Sequence, residues 1–202
     1  MVACGDADGA VTGNTRRFGA SLEKIKQVVD VRKGEIMFGL NMVVNKGKTI
    51  FIADTSVHEY PTSEEMAEIA ISAARVVRLF GIDPKIAFVS HSTFGQPLTS
   101  RTKHIRTAVD ILKDKQVNFE FDGDMQPDVA LNPDYEELYP FAKIVGKANI
   151  LIMPGQHSAA ISYKLMKTLG DTKVIGPLLI GLGLPIEIAP LRSSTSEIIN
   201  LA

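Results

Sequence analysis

Residues 61–90, PTSEEMAEIAISAARVVRLFGIDPKIAFVS, predict a capped helix that leads into a buried strand. Thr62 and Glu65 have the spacing of a capping box, and Gly81 is typical of the residue that ends a helix. Between them, apolar residues recur every three or four positions, which indicates one buried helix face. The run KIAFVS that follows is short, apolar and rich in strand-forming residues. A helix followed by a buried strand is the repeating unit of parallel α/β sheets.

The same alternation continues on both sides of this stretch. Residues 16–30 have helical spacing, and the two apolar runs that follow them are separated by NKGK, a hairpin-like turn. Downstream, residues 101–115 and 155–170 are helical segments between apolar strands, and a last helix is predicted over 194–202. The predicted strands are residues 35–44, 48–54, 85–90, 117–125, 148–154, 172–179 and 184–190. This order predicts an α/β fold with a mostly parallel sheet flanked by helices.

The composition of the chain argues against several classes of protein. The chain has 202 residues, of which 45% are hydrophobic, and its net charge of −1 gives no reason to expect nucleic acid or an anionic membrane as a partner. The single cysteine, Cys4, excludes an internal disulfide, and the four histidines lie in different elements without metal-ligand spacing. No apolar run is long enough to cross a membrane, and the first residues lack the pattern of a signal peptide. We expect a cytoplasmic protein without a metal site, and a piece of a longer polypeptide, since no capped first element precedes the opening turn.

Two loops that follow predicted strands have the composition of an anion site. In parallel sheets, ligands bind beside the carboxyl ends of the strands. The stretch HSTFGQPLTSRTKHIR offers hydroxyls, a glycine, helix amides and cations, which are the groups that bind phosphate. The candidate phosphate-binding residues here are Ser92, Thr93, Gly95, Arg101, Lys103 and Arg106. An exposed polar loop that leads to a solvated helix face has the same composition, and both interpretations stay open.

The second loop, PGQHSAA, brings Gly155, Gln156 and His157 to the start of a helix. A glycine there allows a ligand to approach the backbone, whereas a lone histidine is more often a capping or packing residue than a catalytic base. The end of the chain places Arg192 before four hydroxyl residues, and Ser194-x-x-Glu197 has the spacing of a capping box. That stretch is either an anion-handling loop or only the cap of a terminal helix. No dinucleotide fingerprint, Walker A lysine motif or GxSxG elbow is present.

Four segments, taken together, resemble the phosphate acetyltransferase (phosphotransacetylase) family in order and spacing. They are GDADGAVTG, FGIDPKIAFVSHSTFG, ANILIMPGQHSAAISYKL and VIGPLLIGLGLPIEIA, and they extend over nearly the whole chain. The resemblance covers about the second half of that family's domain. It implies lobes of the isocitrate/isopropylmalate dehydrogenase type, with residues 32–180 as a nearly complete α/β lobe. Residues 1–31 and 181–202 would then be parts of a second, truncated lobe.

The chain is more similar still to one branch, the phosphotransacetylase-like C-terminal region of large NADP-dependent malic enzymes. VTGNTRRF, KTIFIADTSVHEYPTSEE and FEFDGDMQPDVALN carry this likeness. In that branch, an N-terminal portion decarboxylates malate oxidatively with NADP and a divalent metal, Mg²⁺ or Mn²⁺. The resemblance implies a regulatory domain that binds acetyl-CoA or a related acyl-CoA as effector and is attached to that malic enzyme portion. It also implies a homodimer or a higher homo-oligomer.

The departures from active phosphotransacetylases concern the catalytic groups. Active members carry a serine–arginine pair where this chain has Pro190 and Leu191, an aspartate where it has Glu197, and an arginine where it has Glu23. Acetyl transfer to phosphate needs cations that hold the phosphate and a group that manages the thiol proton. The resemblance therefore implies that acetyl-CoA binding is kept and that catalysis is lost.

Three functions stay open from the sequence. The first is an acetyl-CoA-binding regulatory domain with no residue assigned as catalytic, in which Arg192 adds a phosphate contact. The second is a working phosphate acetyl- or butyryltransferase that uses Arg192, Ser193 and Glu197. The third is an oligomerisation scaffold without a ligand.

Overall fold

The structure, a computed structural model that describes residues 1–202, alternates strands and helices along the chain. The strands are β1 (Ala10–Gly13), β2 (Phe38–Asn45), β3 (Lys48–Ala53), β4 (Lys85–Val89), β5 (Glu120–Met125), β6 (Ile150–Ile152), β7 (Thr172–Ile180) and β8 (Ile186–Ala189). The helices are α1 (Phe18–Lys26), α2 (Ser63–Leu79), α3 (Ser100–Asp114), α4 (Pro127–Leu131), α5 (Gln156–Leu169) and α6 (Thr195–Ile199). Short 3₁₀ helices cover Val2–Cys4 and Pro133–Leu138. None of the helices combines the length and the apolar character that crossing a membrane requires.

Six strands form the main sheet in the order β5-β4-β6-β3-β2-β7. β3, β6, β4 and β5 are parallel neighbours, whereas β2 pairs in the antiparallel direction with both β3 and β7. The β2–β3 hairpin turns at Lys46 and Gly47, which both have positive φ, as a two-residue turn between twisted strands requires. The predicted α/β fold with a mostly parallel sheet is confirmed, and so is the hairpin turn.

Helices cover both faces of the main sheet, because its central strands are apolar on both sides. α2 and α3 pack on one face, where Phe38, Phe51 and Phe88 are fully buried. α4 and α5 cover the other face, over Leu151 and Met153. The two cores hold the strands in place and thereby fix the positions of the loops at the strand ends.

The two predicted capping boxes are present. The Thr62 hydroxyl accepts the N–H of Glu65 at 3.1 Å, and the Glu65 carboxylate accepts the N–H of Thr62 at 2.7 Å. Ser194 and Glu197 exchange the same pair of hydrogen bonds at the start of α6. Each box satisfies amide groups that a helix start leaves without a partner. The terminal stretch is therefore a helix cap, whatever else it does.

A second, two-stranded sheet pairs β1 with β8 in parallel, and α1 packs against it. β1 was not predicted, because AVTG contains one strongly apolar residue and three of its four residues are exposed. Leu22 and Ile25 of α1 pack with Ile188 of β8 and with Leu179 of β7, so the two sheets share this core. The division into lobes at residues 32 and 180 stays a prediction.

Candidate functional site

The loops after β3, β4, β5 and β6 lie together at one edge of the main sheet, because parallel strands end on the same side. The N–H of Gln156 donates to the carbonyl of His58 at 3.1 Å, which joins the loop after β6 to the loop after β3. The N–H of Phe94 donates to the carbonyl of Asp124 at 2.6 Å, which joins the loop after β4 to β5. Both predicted anion loops are therefore at this carboxyl edge.

The loop after β3 is built around the buried carboxylate of Asp54. Its oxygens accept the backbone N–H groups of Gly39 and Ser56 at 2.8 Å and that of His58 at 2.7 Å. An ionised carboxylate only accepts hydrogen bonds, so Nδ1 of His58 is the donor in its 2.7 Å contact with Asp54. The Asp54–His58 pair was not predicted, although an aspartate directly after a buried strand was a usable signal.

The loop after β4 is folded over a second buried carboxylate, that of Asp124. Ser92 is fully buried and its hydroxyl donates to Asp124, while the N–H of Gly95 donates to the other oxygen at 3.0 Å. The Thr93 hydroxyl accepts the N–H of Gln126 at 3.2 Å. The polar groups of three predicted phosphate ligands thus hold the loop together, and their contact with a phosphate stays a prediction.

The three predicted cations of α3 are exposed, and none of them forms a salt bridge. The guanidinium of Arg106 fills the space beside Gly95 that a side chain there would need. Arg101 lines a cavity at the carboxyl edge, whereas Lys103 and Arg106 do not. The structure therefore brings one of the three cations to a concave surface.

The cavity beside Arg101, which we call the carboxyl-edge cavity, has a volume of about 340 Å³. It lies where the starts of α2, α3 and α5 converge. Its lining residues are Tyr60, Pro61, Ser100, Arg101, His104, Ile105 and Pro154. His104 does not offer a free nitrogen to it, since Nε2 bonds the carbonyl of Pro61 at 2.9 Å and Nδ1 meets the hydroxyl of Ser63 at 2.8 Å.

The predicted residues of the PGQHSAA loop lie beside this cavity. Gly155 is required by a close approach, because a Cβ at that position would collide with the carbonyl oxygen of Glu59. Nε2 of His157 meets Oε1 of Glu59 at 3.1 Å, and the imidazole ring stacks on the ring of Tyr60 at 6.4 Å between centroids. His157 therefore lies between the Glu59 carboxylate and the Tyr60 ring, and its role in binding stays a prediction.

A second concave surface, which we call the tail groove, lies between α5, β7 and the end of the chain and has a volume of about 120 Å³. Its lining residues are Tyr163, Lys164, Lys167, Val174, Ile175, Gly176, Pro190, Ser193, Glu197, Asn200 and Leu201. Nζ of Lys167 meets Oε1 of Glu197 at 2.6 Å. The Lys167 ammonium, with the N–H and hydroxyl of Ser194, lowers the pKa of Glu197 to about 2. The two lysines were not predicted, because only the fold turns this face of α5 towards the tail.

The carboxyl ends of β1 and β8 form a further edge, and the loops that follow these strands touch. The N–H of Arg192 donates to the carbonyl of Asn14 at 3.2 Å, and both residues have a left-handed backbone, with φ of 61° and 63°. Arg16 and Arg17, which are exposed and form no salt bridge, lie on the same loop as Asn14. Neither arginine was predicted as a site residue, because the β1–β8 pairing, which brings their loop to that of Arg192, was not predicted.

The sequence and the fold of this chain are similar to those of known proteins. A family model described as "Phosphate acetyl/butaryl transferase" matches residues 1–202. The chain belongs to this family. An NADP-dependent malic enzyme of Rhizobium meliloti is 46% identical over 202 residues, which are all of this chain and 26% of that protein. A phosphate acetyltransferase of Bacillus subtilis is 30% identical over 204 residues, which cover all of this chain and 63% of that protein.

A solved structure agrees with the sequence comparison. A phosphotransacetylase from Streptococcus pyogenes superimposes with a TM-score of 0.92 and 30% identity, over 99% of this chain and 62% of that one. The phosphotransacetylase-like fold predicted from the sequence is confirmed. This chain spans about a quarter of the length of the malic enzyme relative and less than two thirds of the two phosphotransacetylases.

The structure gives positions to the residues that the family resemblance predicted to differ from the active pattern. Pro190 and Glu197 line the tail groove, and Leu191, beside Pro190, is half exposed. The hydroxyl of Ser193 in the same groove donates to the carbonyl of Pro190 at 2.8 Å. The groove therefore holds a hydroxyl and a carboxylate, each with a partner inside the protein. No group of three or more His, Cys, Asp and Glu residues has a metal-binding arrangement.

Proposed function

We propose that this chain is a regulatory domain of an NADP-dependent malic enzyme, which binds acetyl-CoA as an effector and does not transfer the acetyl group. The observation that carries the proposal is the Lys167–Glu197 ion pair in the tail groove, next to Pro190. The 46% identity to a malic enzyme over the whole chain supports the assignment to that branch.

The ion pair argues against acetyl transfer for a physical reason. A general base works best when its pKa is near the operating pH, and a carboxylate whose pKa is about 2 takes up a proton poorly at neutral pH. Leu191 supplies no positive charge where active members have an arginine, and removing one preorganised donor typically costs about 3–4 kcal/mol of transition-state stabilisation. Both changes act on the chemical step and leave the rest of the binding surface in place.

Binding has separate support at the carboxyl edge. Arg101 lines the carboxyl-edge cavity without a carboxylate partner, and Gly155 lets a ligand approach the backbone at the start of α5. Arg16, Arg17 and Arg192 add positive charge at the edge of the second sheet. An acyl-CoA carries several phosphate charges and an acyl thioester, so it needs a cationic surface of this kind.

The regulatory role needs a second site, which we place in the malic enzyme portion of the full-length protein. That portion would use NADP and Mg²⁺ or Mn²⁺. A homo-oligomer is part of the proposal, and it is supported by an exposed apolar stripe on α5. Ile161, Leu165 and Leu169 lie one helical turn apart and are 59%, 53% and 82% exposed.

Two measurements on the 202-residue chain test the proposal. Isothermal titration should give saturable acetyl-CoA binding, and a thiol-release assay with acetyl-CoA and phosphate should give no CoA above the enzyme-free rate. CoA release at the rate of an active phosphotransacetylase would contradict it. In the full-length protein, acetyl-CoA should change the rate of malate-dependent NADP reduction, and an unchanged rate would remove the regulatory role.

An active acyltransferase is the second candidate, favoured by the 30% identity to the Bacillus subtilis enzyme over the whole chain. It would use Arg192, Ser193 and Glu197. In that case Arg192→Ala should abolish CoA release, whereas in a regulatory domain the same change only weakens binding. A scaffold without ligand is the third reading, and there acetyl-CoA would not raise the melting temperature, as a native-state ligand must.

A further inference from the structure

A further cavity lies at the opposite end of the main sheet, where β3 and β6 begin, and we call it the amino-edge cavity. Its volume of about 560 Å³ is larger than the 340 Å³ of the carboxyl-edge cavity. It exists because β6 has only three residues and starts opposite Phe51, which leaves the first residues of β3 without a strand neighbour on that side. The residues that define the cavity here are Val43, Lys48, Thr49, Ile50, Leu131 and Met166.

The floor and walls of this cavity are apolar. Val43 and Ile50 are cross-strand partners on β2 and β3, and both pack with the core under α4 and α5. Leu131, at the end of α4, and Met166, in α5, are half-buried and pack against the same core. Pockets of about 300–1,000 Å³ with an apolar lining and a few polar groups are typical of small-molecule sites. The lining therefore suits a ligand with an apolar body.

One cation of the lining has no partner. Lys48 lies two residues before Ile50 on β3, so its side chain is on the same face of the sheet as the apolar floor. Lys48 is exposed and forms no salt bridge. The other lysine of the lining, Lys147, is paired with Glu136 at 3.0 Å. A negative group on a ligand would therefore find its available charge at Lys48.

Thr49 adds a backbone donor beside this charge. The N–H of Phe51 donates to the carbonyl of Asn149 at 2.7 Å, so Phe51 and, two residues earlier, Thr49 direct their main-chain groups towards β6. The pairing of β6 with β3 starts only at Phe51 and Ile150. No strand pairs with the N–H of Thr49, which is thus an available hydrogen-bond donor in the wall of the cavity.

We propose that the amino-edge cavity binds a small monocarboxylic acid with an apolar body, the carboxylate at Lys48 and Thr49 and the body on Val43 and Ile50. A carboxylate accepts charge-assisted hydrogen bonds from an ammonium and from an amide at the same time. One carboxylate matches the single unpaired cation, whereas a more highly charged ligand would place an unpaired charge on apolar surface. The site is at the opposite end of the sheet from the carboxyl edge, so it goes beyond the proposed function and does not depend on it.

Isothermal titration of the 202-residue chain with octanoate tests the site, and two related probes test its parts. Octanoate should bind saturably. Hexanoate should bind about tenfold more weakly, because two buried CH₂ groups are lost, and octan-1-ol should bind about tenfold more weakly, because it lacks the charge. Saturating acetyl-CoA should leave octanoate binding unchanged, because the two ligands have separate sites.

Variants test the placement of the carboxylate. Lys48→Met should weaken octanoate about tenfold and leave octan-1-ol unchanged, whereas Lys48→Arg should bind octanoate like the parent. Lys173→Met is the matched control, because Lys173 is exposed on β7 and pairs with Val44, whose side chain is on the other face of the sheet. In an NMR titration, the amide signal of Thr49 should shift as octanoate binds.

Three results would overturn the inference. The first is octanoate without saturable binding, and the second is octanoate that binds Lys48→Met as tightly as the parent. The third is displacement of octanoate by acetyl-CoA, which would put octanoate in the acetyl-CoA site and leave the proposed function standing. Failure of acetyl-CoA to bind, with octanoate still bound at Lys48, would reject the proposed function and keep this site. Lys48 and Lys173 are both exposed, so circular dichroism should show that the variants fold like the parent.

Discussion

Replacing Lys167 by methionine should destabilise the fold at neutral pH and reduce its sensitivity to acid. Lys167 and Glu197 are joined by a 2.6 Å contact that ties α5 to the start of α6. The lysine is the largest cause of the lowered pKa of Glu197, and the donors of Ser194 add to it. Methionine keeps the length of the side chain and removes the charge, so the pKa of Glu197 should rise but stay below its ordinary 4.5.

The size of the effect follows from the pKa and the exposure. A carboxyl whose pKa falls from 4.5 to about 2 on folding stabilises the fold above pH 4.5, and this contribution is lost as the pH falls towards 2. The full shift would correspond to about 3.4 kcal/mol. The side chains of Glu197 and Lys167 are 34% and 49% exposed, and ion pairs so open to water contribute about 0.2–1 kcal/mol. We expect a loss of about 1 kcal/mol at pH 7.

Urea unfolding between pH 3 and pH 7 measures this loss. The difference between parent and Lys167→Met should be largest at pH 7 and should shrink as the pH falls below 4.5. Lys164→Met is the control, because Lys164 lines the same groove without an ion pair. Equal losses for the two variants, or a difference that does not depend on pH, would refute the role assigned to the ion pair.

Three further changes have expected outcomes. Burial raises the pKa of Glu187 to about 7, so its buried charge destabilises the fold increasingly as the pH rises from 4.5 through 7. In urea unfolding, Glu187→Gln should therefore have a free energy of unfolding about 2 kcal/mol above that of the parent at pH 8, and the same as the parent at pH 4. Gly155→Ala should lower the free energy of unfolding by about 1–3 kcal/mol in the same assay, because the new Cβ would collide with the carbonyl oxygen of Glu59. Gly19→Ala is the control, and it should leave that free energy unchanged or raise it, because the space around Gly19 is free. The side-chain amide of Asn41 is fully buried without a hydrogen-bond partner, which costs the fold about 1–3 kcal/mol. Asn41→Leu removes this cost and should raise the melting temperature, and a lower melting temperature would show that the amide has a role.

α2, which has a strong local signal, was predicted, whereas β1, which depends on pairing with a distant strand, was not. The capping box, the apolar periodicity and the terminating glycine of α2 all lie within one stretch, so both of its ends could be predicted locally. β1 has four mostly exposed residues and becomes a strand only because β8, near the other end of the chain, pairs with it. No local pattern reports such a partner, and Arg16 and Arg17 were overlooked for the same reason.

The position of the candidate site was predicted by region more than by residue, and its role in binding stays a prediction. The loops after β4 and β6 lie at one edge of the sheet as the carboxyl-edge rule predicted, and Arg101, Gly155 and His157 lie at or beside the cavity there. Composition alone did not show that the Ser92 hydroxyl donates to Asp124, because a hydroxyl in a loop can point into the protein or towards a ligand. The exposed ring of Tyr60 gave no signal either, because only its neighbours in space make it a wall of the cavity.

The central claim is that this chain binds acetyl-CoA without transferring its acetyl group, and one calorimetric titration tests both halves. Acetyl-CoA is injected into the chain in phosphate buffer, so that the second substrate of a transferase is always present. We predict heat pulses that saturate and return to the baseline after each injection, which is binding without turnover. Injections that leave a sustained heat flow, or that give no saturable heat, would contradict the claim.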